Sequence, residues 1–169
     1  MITHVVMMKF KPDIEPQEID ELEALLDTTI SDTELHKAVE TCNRIRGAME
    51  ELYTLRRDCP GAIAGRDMHA ITRAAMVMDR HDFLAGLTAY VAQITASAPA
   101  ACRDAKRILL SGGVCNLPDI YDPIERTGGA VVWDDLCTGS RQLTGLIDIR
   151  DDLIAAISDH YRERAVCPA

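Results

Sequence analysis

The stretch RILLSGGVCNLPDIYDPIERTGGAVVWDDLCTGSR, residues 107–141, decides how this chain folds. It opens on the apolar run Ile108-Leu109-Leu110, which breaks at Ser111-Gly112-Gly113 and so reads as a buried strand running into a loop. Residues 118–127 read as a helix with Pro118 at its first position, where a missing N–H costs nothing; Pro123 inside it kinks or shortens it. Gly128-Gly129 stops that helix, and Ala130-Val131-Val132-Trp133 is a second apolar strand. Strand, glycine loop, helix, glycine stop, strand is a βαβ unit, whose crossover forces the two strands parallel.

Open parallel sheets bind ligands beyond the carboxyl ends of their strands. Two segments fall there: Ser111 to Asn116 after the first strand, and Asp134 to Arg141 after the second. The candidate substrate-binding residues are therefore Ser111, Gly112, Gly113, Asn116, Asp134, Asp135, Thr138, Ser140 and Arg141. An arginine beside small residues suits a phosphate or thioester group, and a thiolate in this place can ligate iron. A plainer account stands beside this one. A glycine loop after a strand is usually only a tight turn, Asp134 and Asp135 can cap the next segment, and Cys115 and Cys137 can be small buried thiols. No catalytic residue stands out.

Upstream, the pattern is helical. Ser31 and Glu34 form a capping box, after which Leu35, Ala38, Cys42, Ile45, Met49, Leu52 and Leu55 mark one face and Lys37, Glu40, Arg44, Glu51 and Arg57 the other. Pro60-Gly61 ends this helix. A second helix is expected over 65–78 with Met68, Ile71, Ala75 and Met78 inward. A third, over 82–95, buries Phe83, Leu87, Tyr90, Val91 and Ile94. Downstream, a last helix over 151–164 turns Leu153, Ile154, Ile157 and Tyr161 inward. Residues 2–10 read as a strand and 18–26 as a short acidic helix. The chain thus divides into an N-terminal strand–helix segment (1–29), a helical connector (30–105) and a partial Rossmann-like α/β domain (106–169). Its class is α/β, a helical connector followed by an incomplete Rossmann-like parallel βαβ unit.

Apolar residues make up 47% of the 169 and the net charge is −9, which argues against nucleic-acid or anionic-membrane partners, since both need a basic surface. No run approaches the ~18 apolar residues of a membrane-spanning helix, and the N-terminus lacks the basic start of a signal peptide, so a cytoplasmic protein is expected. Its six cysteines (42, 59, 102, 115, 137, 167) are then thiols, and without a C-x-x-C pair they fit no common zinc or thioredoxin pattern. Cys42 belongs to the apolar face of its helix and reads as core. The five scattered histidines (4, 36, 69, 81, 160) read as surface or cap residues, and Met68, Met76 and Met78 as core filler.

The quoted stretch resembles the 2-hydroxyacyl-CoA dehydratase / benzoyl-CoA reductase subunit family, most specifically in DDLCTGSR, Asp134 to Arg141. ISDTELHKAVETCNRIRGAMEELYTLRR and GAIAGRDMHAITRAAMVM upstream, and HYRERAVCPA at the end, are similar to the same family, so the likeness runs over about residues 30–169. It implies an oxygen-sensitive, anaerobic enzyme type whose two related subunits carry cysteine-ligated 4Fe–4S clusters, with Cys137 matching a family cysteine and standing as a metal-ligand candidate. An ATP-dependent activator supplies the electron, and the acyl-CoA substrate is dehydrated or reduced in its ring. Because family subunits are more than twice this long and their cluster regions are not matched, the expectation is a truncated subunit that is not active alone. A smaller likeness, MITHVVMMKFKPDIEPQEIDELEALL at residues 1–26, is to the start of a stress-responsive dimeric α/β-barrel (Dabb) domain. The rival functions are a helical interaction module using the Leu35–Leu55 face and a Dabb-like dimer, and the exposed sheet edges point to an oligomer.

Overall fold

The computed structural model describes residues 21, 23–25, 27, 29, 31–97, 104–115, 120–143 and 145–163. The strand expected over 2–10, much of the helix over 18–26, and His4, Asn116, Cys102 and Cys167 lie outside them.

The first long helix, α1, is Asp32–Asp58. Ser31 caps it by accepting the Glu34 N–H at 3.3 Å, while its hydroxyl donates to Glu34 Oε2 at 3.3 Å. The glutamate thus answers the cap through the serine side chain. Asp32 and Glu34 in the first turn and Arg56 and Arg57 in the last suit the helix dipole. Ile45, Met49 and Leu52 are buried as their spacing requires, but Ala38 is exposed and Cys42 only half-buried. The buried face is broader than the apolar stripe and takes in Val39, Arg46, Tyr53 and Arg56.

Helices α2 (Gly65–Val77) and α3 (Arg80–Ser97) fold back so that Met68, Ala75, Phe83 and Leu87 join Met49 and Leu52 in one core. Each fully buried Leu or Met there contributes about 1.5–3 kcal/mol. Met78 stays 45% exposed, against the inward position expected of it. It follows the last turn of α2, where no described element covers it.

Strand β1 (Lys106–Ser111), helix α4 (Tyr121–Arg126) and strand β2 (Gly129–Asp135) form the expected βαβ unit, with β1 and β2 parallel. Pro123 falls in the first turn of the shortened α4, where its lack of an N–H is harmless. Gly128 ends the helix at φ +90, a conformation that side chains with a Cβ rarely adopt. The register runs Ile108↔Val131 and then slips, so that Leu109 faces Trp133 and Ser111 faces Asp135. β2 is buried almost throughout. β1 is not the buried strand its apolar run suggests: Ile108 and Leu110 are half-buried on one face, whereas Leu109 on the other is 62% exposed, because among the described residues only one face of β1 is covered.

One turn of 3-10 helix, Ser140–Gln142, leads through Ile147 to the last helix, α5 (Leu153–Glu163). Leu153, Ala156 and Ile157 face inward, while Ile154 and Tyr161 are exposed, contrary to expectation. The inward row follows 153, 156 and 157, so Ile154 lies one residue off it, and Tyr161 meets the His160 ring edge-on instead. Among the described residues no helix is long and apolar enough to cross a membrane.

Candidate functional site

The parallel pairing brings the two loops after β1 and β2 to the same rim. Gly112 N donates to the Asp135 carbonyl at 3.2 Å, and Cys137 N to the Gly113 carbonyl at 3.2 Å. Thr138 Oγ1 accepts the Cys115 N–H at 3.2 Å and donates to the Cys115 carbonyl at 3.0 Å. Ser111 and Gly113 are exposed and Gly112 half-exposed, whereas Thr138 and Ser140 are buried.

The adjacent aspartates have opposite fates because neighbours on a strand point to opposite faces. Asp134 faces inward and is fully buried. Its Oδ1 accepts Tyr53 Oη at 2.5 Å and Ser140 N at 3.1 Å. Its Oδ2 accepts Tyr121 Oη at 3.2 Å and Arg56 Nη1 at 3.3 Å. Arg56 Nη2 also donates to the Val131 carbonyl at 2.5 Å, and Ser140 Oγ to the Asp134 carbonyl at 2.9 Å. Gly139 is required beside this carboxylate, since a Cβ there would lie 2.5 Å from Asp134 Oδ1. Burial, and then the Asp134 charge, push the Tyr53 and Tyr121 phenols above their ordinary range. A carboxylate so enclosed and saturated holds α1, α4 and β2 together.

Asp135 faces the rim. Arg141 clamps it, with Nε to Oδ1 at 2.9 Å and Nη2 to Oδ2 at 2.8 Å; Nη2 also reaches the Asp135 carbonyl at 2.9 Å. Ser111 Oγ donates to Oδ2 at 3.4 Å. The Arg141 hydrogen bond is the main reason the Asp135 carboxyl sits below its usual range, and the same bond raises Arg141. Arg141 Nη1 lies 3.5 Å from Cys137 Sγ. All three guanidinium nitrogens are thus committed to its own loop.

The residues that sequence reading missed are Tyr53, Arg56, Tyr121 and His69. The first two lie on α1 outside the apolar stripe, and only their buried position reveals them. His69 is buried, not superficial; it sits in α2 against the Tyr121 ring, with centroids 5.8 Å apart. Desolvation, then the Arg73 charge, lower its pKa, and its Nδ1 has no hydrogen-bond partner.

Cys42, Cys115 and Cys137 are thiols, but Cys59, buried at the end of α1, is in a disulfide, which corrects the expectation of six thiols. Among the described residues no three His, Cys, Asp or Glu side chains gather as a metal-ligand group. They do not by themselves fit a four-iron cluster.

A helical layer on a parallel βαβ unit, with loops of both strands meeting on one rim, defines an α/β protein class. The sequence pattern of the 2-hydroxyglutaryl-CoA dehydratase D-component family matches residues 16–169, and the chain belongs to that family. The match begins within the stretch that resembles a Dabb start. The chain is 24% identical over 146 residues to the (R)-phenyllactyl-CoA dehydratase beta subunit of Clostridium sporogenes, covering 86% of this chain and 39% of the relative. It is 28% identical over 131 residues to the lactoyl-CoA dehydratase subunit beta of Anaerotignum propionicum, covering 78% and 34%. It is 25% identical over 150 residues to a benzoyl-CoA reductase subunit of Thauera aromatica, covering 88% and 39%. The chain therefore spans between 34% and 39% of these relatives' lengths.

Proposed function

We propose that this chain supplies an acyl-CoA-binding rim to a dehydratase- or reductase-type assembly, working beside a related second subunit and an ATP-dependent activator in an anaerobic cytoplasm. What supports the reading is the family membership together with one juxtaposition: the open Gly112-Gly113 turn lies beside the Asp135–Arg141 clamp. Exposed backbone at the turn lets a thioester approach closely. The clamp and Ser111 fix the opposite wall. Cys137, under the Arg141 guanidinium, is the metal-ligand candidate on this rim, but no step is assigned to a cluster that the described residues do not assemble.

Gly113 offers the test. A Cβ built there meets nothing within 4 Å, so Gly113→Val adds bulk to the rim without disturbing the chain's own packing. Calorimetric titration with acetyl-CoA is expected to show binding weakened by about tenfold or more, equal to about 1.4 kcal/mol, with thermal stability unchanged. Equal affinity for both proteins would remove the rim as the binding place. The rival reading, a helical module docking through the Leu35–Leu55 face, meets the fact that Ile45, Met49 and Leu52 are already covered by the chain's own core.

A further inference from the structure

Arg46 is the one guanidinium with two buried nitrogens lacking a hydrogen-bond partner, Nε and Nη1, among the described residues. It is 7% exposed. No ion pair from the described residues reaches it, although Glu50 follows one turn later on the same helix, where it is exposed. A buried guanidinium without acceptors is strongly disfavoured, so natural proteins keep one only where something outside the residue answers it. Arg56, buried still more deeply, shows the contrast: its Nε alone lacks a partner, and its terminal nitrogens are on Asp134 and the Val131 carbonyl.

Its place in the fold gives the orphaned charge a meaning. α1 runs opposite to β2: Arg56 meets Val131, and Tyr53, one turn earlier, meets Asp134 near the strand's end. Earlier still, Asn43 exchanges two hydrogen bonds with the backbone of Ile147, at 2.8 and 2.9 Å. Arg46 lies between those fixed points, one turn from Asn43 and roughly 10 Å along the axis from Tyr53 at 1.5 Å per residue. It therefore sits past the carboxyl end of β2, on the side where open α/β sheets take ligands. Arg141, the basic residue that the sequence offers there, is spent on Asp135 and Cys137. Arg46 is, on this side of the sheet, a buried guanidinium with two nitrogens still without acceptors.

We propose that Arg46 is a binding residue for a phosphate oxyanion, and, resting on the reading of the rim as an acyl-CoA site, that this oxyanion belongs to the ligand's nucleotide end. Guanidinium and phosphate match in geometry and form paired, charge-assisted hydrogen bonds. The thioester end then lies at Gly112-Gly113 and the phosphates at α1. The same chemistry is offered by free pyrophosphate, so the probes must separate the two sources.

The 169-residue chain and its Arg46→Gln and Arg46→Lys variants are titrated by calorimetry with acetyl-CoA, with S-acetylpantetheine, which carries the thioester without phosphate, and with inorganic pyrophosphate. The expected result is a loss of about tenfold or more for acetyl-CoA and pyrophosphate in Arg46→Gln, a smaller loss in Arg46→Lys, and no change for S-acetylpantetheine. Equal acetyl-CoA and pyrophosphate affinities in wild type and Arg46→Gln overturn the assignment; if Gly113→Val still weakens acetyl-CoA, the rim survives that failure. Arg46-dependent pyrophosphate binding without acetyl-CoA binding keeps Arg46 as a phosphate residue and removes the acyl-CoA rim. Binding of no probe by the wild type overturns both. Should Arg46→Gln fail to fold, the Lys variant decides through the thermal stabilisation that pyrophosphate gives by mass action: a shift equal to wild type overturns the proposal, and a reduced one supports it.

Discussion

At the scale of single residues, the two aspartates of one dipeptide carry opposite duties, and each makes a measurable claim. Asp134 is the acceptor for two phenols, a guanidinium and a backbone N–H. Asp134→Asn leaves Arg56 buried without its counter-charge and should cost about 3–5 kcal/mol in urea unfolding. Tyr53→Phe removes one charge-assisted hydrogen bond and should cost about 1.5–3 kcal/mol. A loss below about 0.5 kcal/mol in either variant, the size of an ordinary surface change, would contradict the buried network.

Asp135 and His69 predict a two-step response to acid. The unfolded His titrates near about 6.5, but burial keeps the folded imidazole neutral below that value. Protons then favour the unfolded chain, and stability falls as pH drops through about 6.5. Asp135 acts lower: Arg141 holds its folded carboxyl below the ordinary range, so the clamp's contribution is whole above about pH 3.9 and is lost as pH falls below it. Urea midpoints followed from about pH 8 to 3 should show both limbs. His69→Gln should flatten the upper limb only, and Asp135→Asn the lower only.

At the scale of elements, the sequence was most readable where chemistry and periodicity agreed. Ser31, Pro60-Gly61 and the spacing of Ile45, Met49 and Leu52 mark α1 unaided, and the glycines at 112–113 and 128–129 bracket the βαβ unit. Loss of the cap in Ser31→Ala should lower stability by about 0.5–2 kcal/mol; an unchanged melting temperature would show that the Glu34 contact contributes nothing. What could not be read were polar side chains that are buried because of partners far along the chain. Nothing local marks Arg56 as the mate of Asp134, 78 residues away. The helical period sets Arg46 about 200° around α1 from the exposed Arg44, but nothing local says that a guanidinium there is buried. The exposure of Leu109 was equally hidden, since an apolar run does not say whether both faces of its strand are covered.

At the scale of the whole molecule, α1, α2 and α3 share their core with Trp133 of the βαβ unit, while α5 packs with Val39 and Ile147 in a second cluster. Trp133 belongs to β2 yet packs on the helical core, with its ring 4.8 Å from that of Tyr53. That contact crosses the boundary between the connector (30–105) and the α/β part (106–169), so the two are expected to melt together. Far-ultraviolet circular dichroism and Trp133 fluorescence should give coincident urea transitions. Midpoints that part from each other would show the two regions to be thermodynamically independent.

The tie between Arg56 and both Val131 and Asp134 has a mechanical consequence. α1 cannot tilt while the strand stays still, since any such shear would expose a paired charge to an apolar interior. A neighbouring polypeptide that gripped the outer side of α1, at Lys37, Glu40 or Arg44, would therefore swing the loops at Gly113 and Arg141 with it, as a tiller turns a rudder.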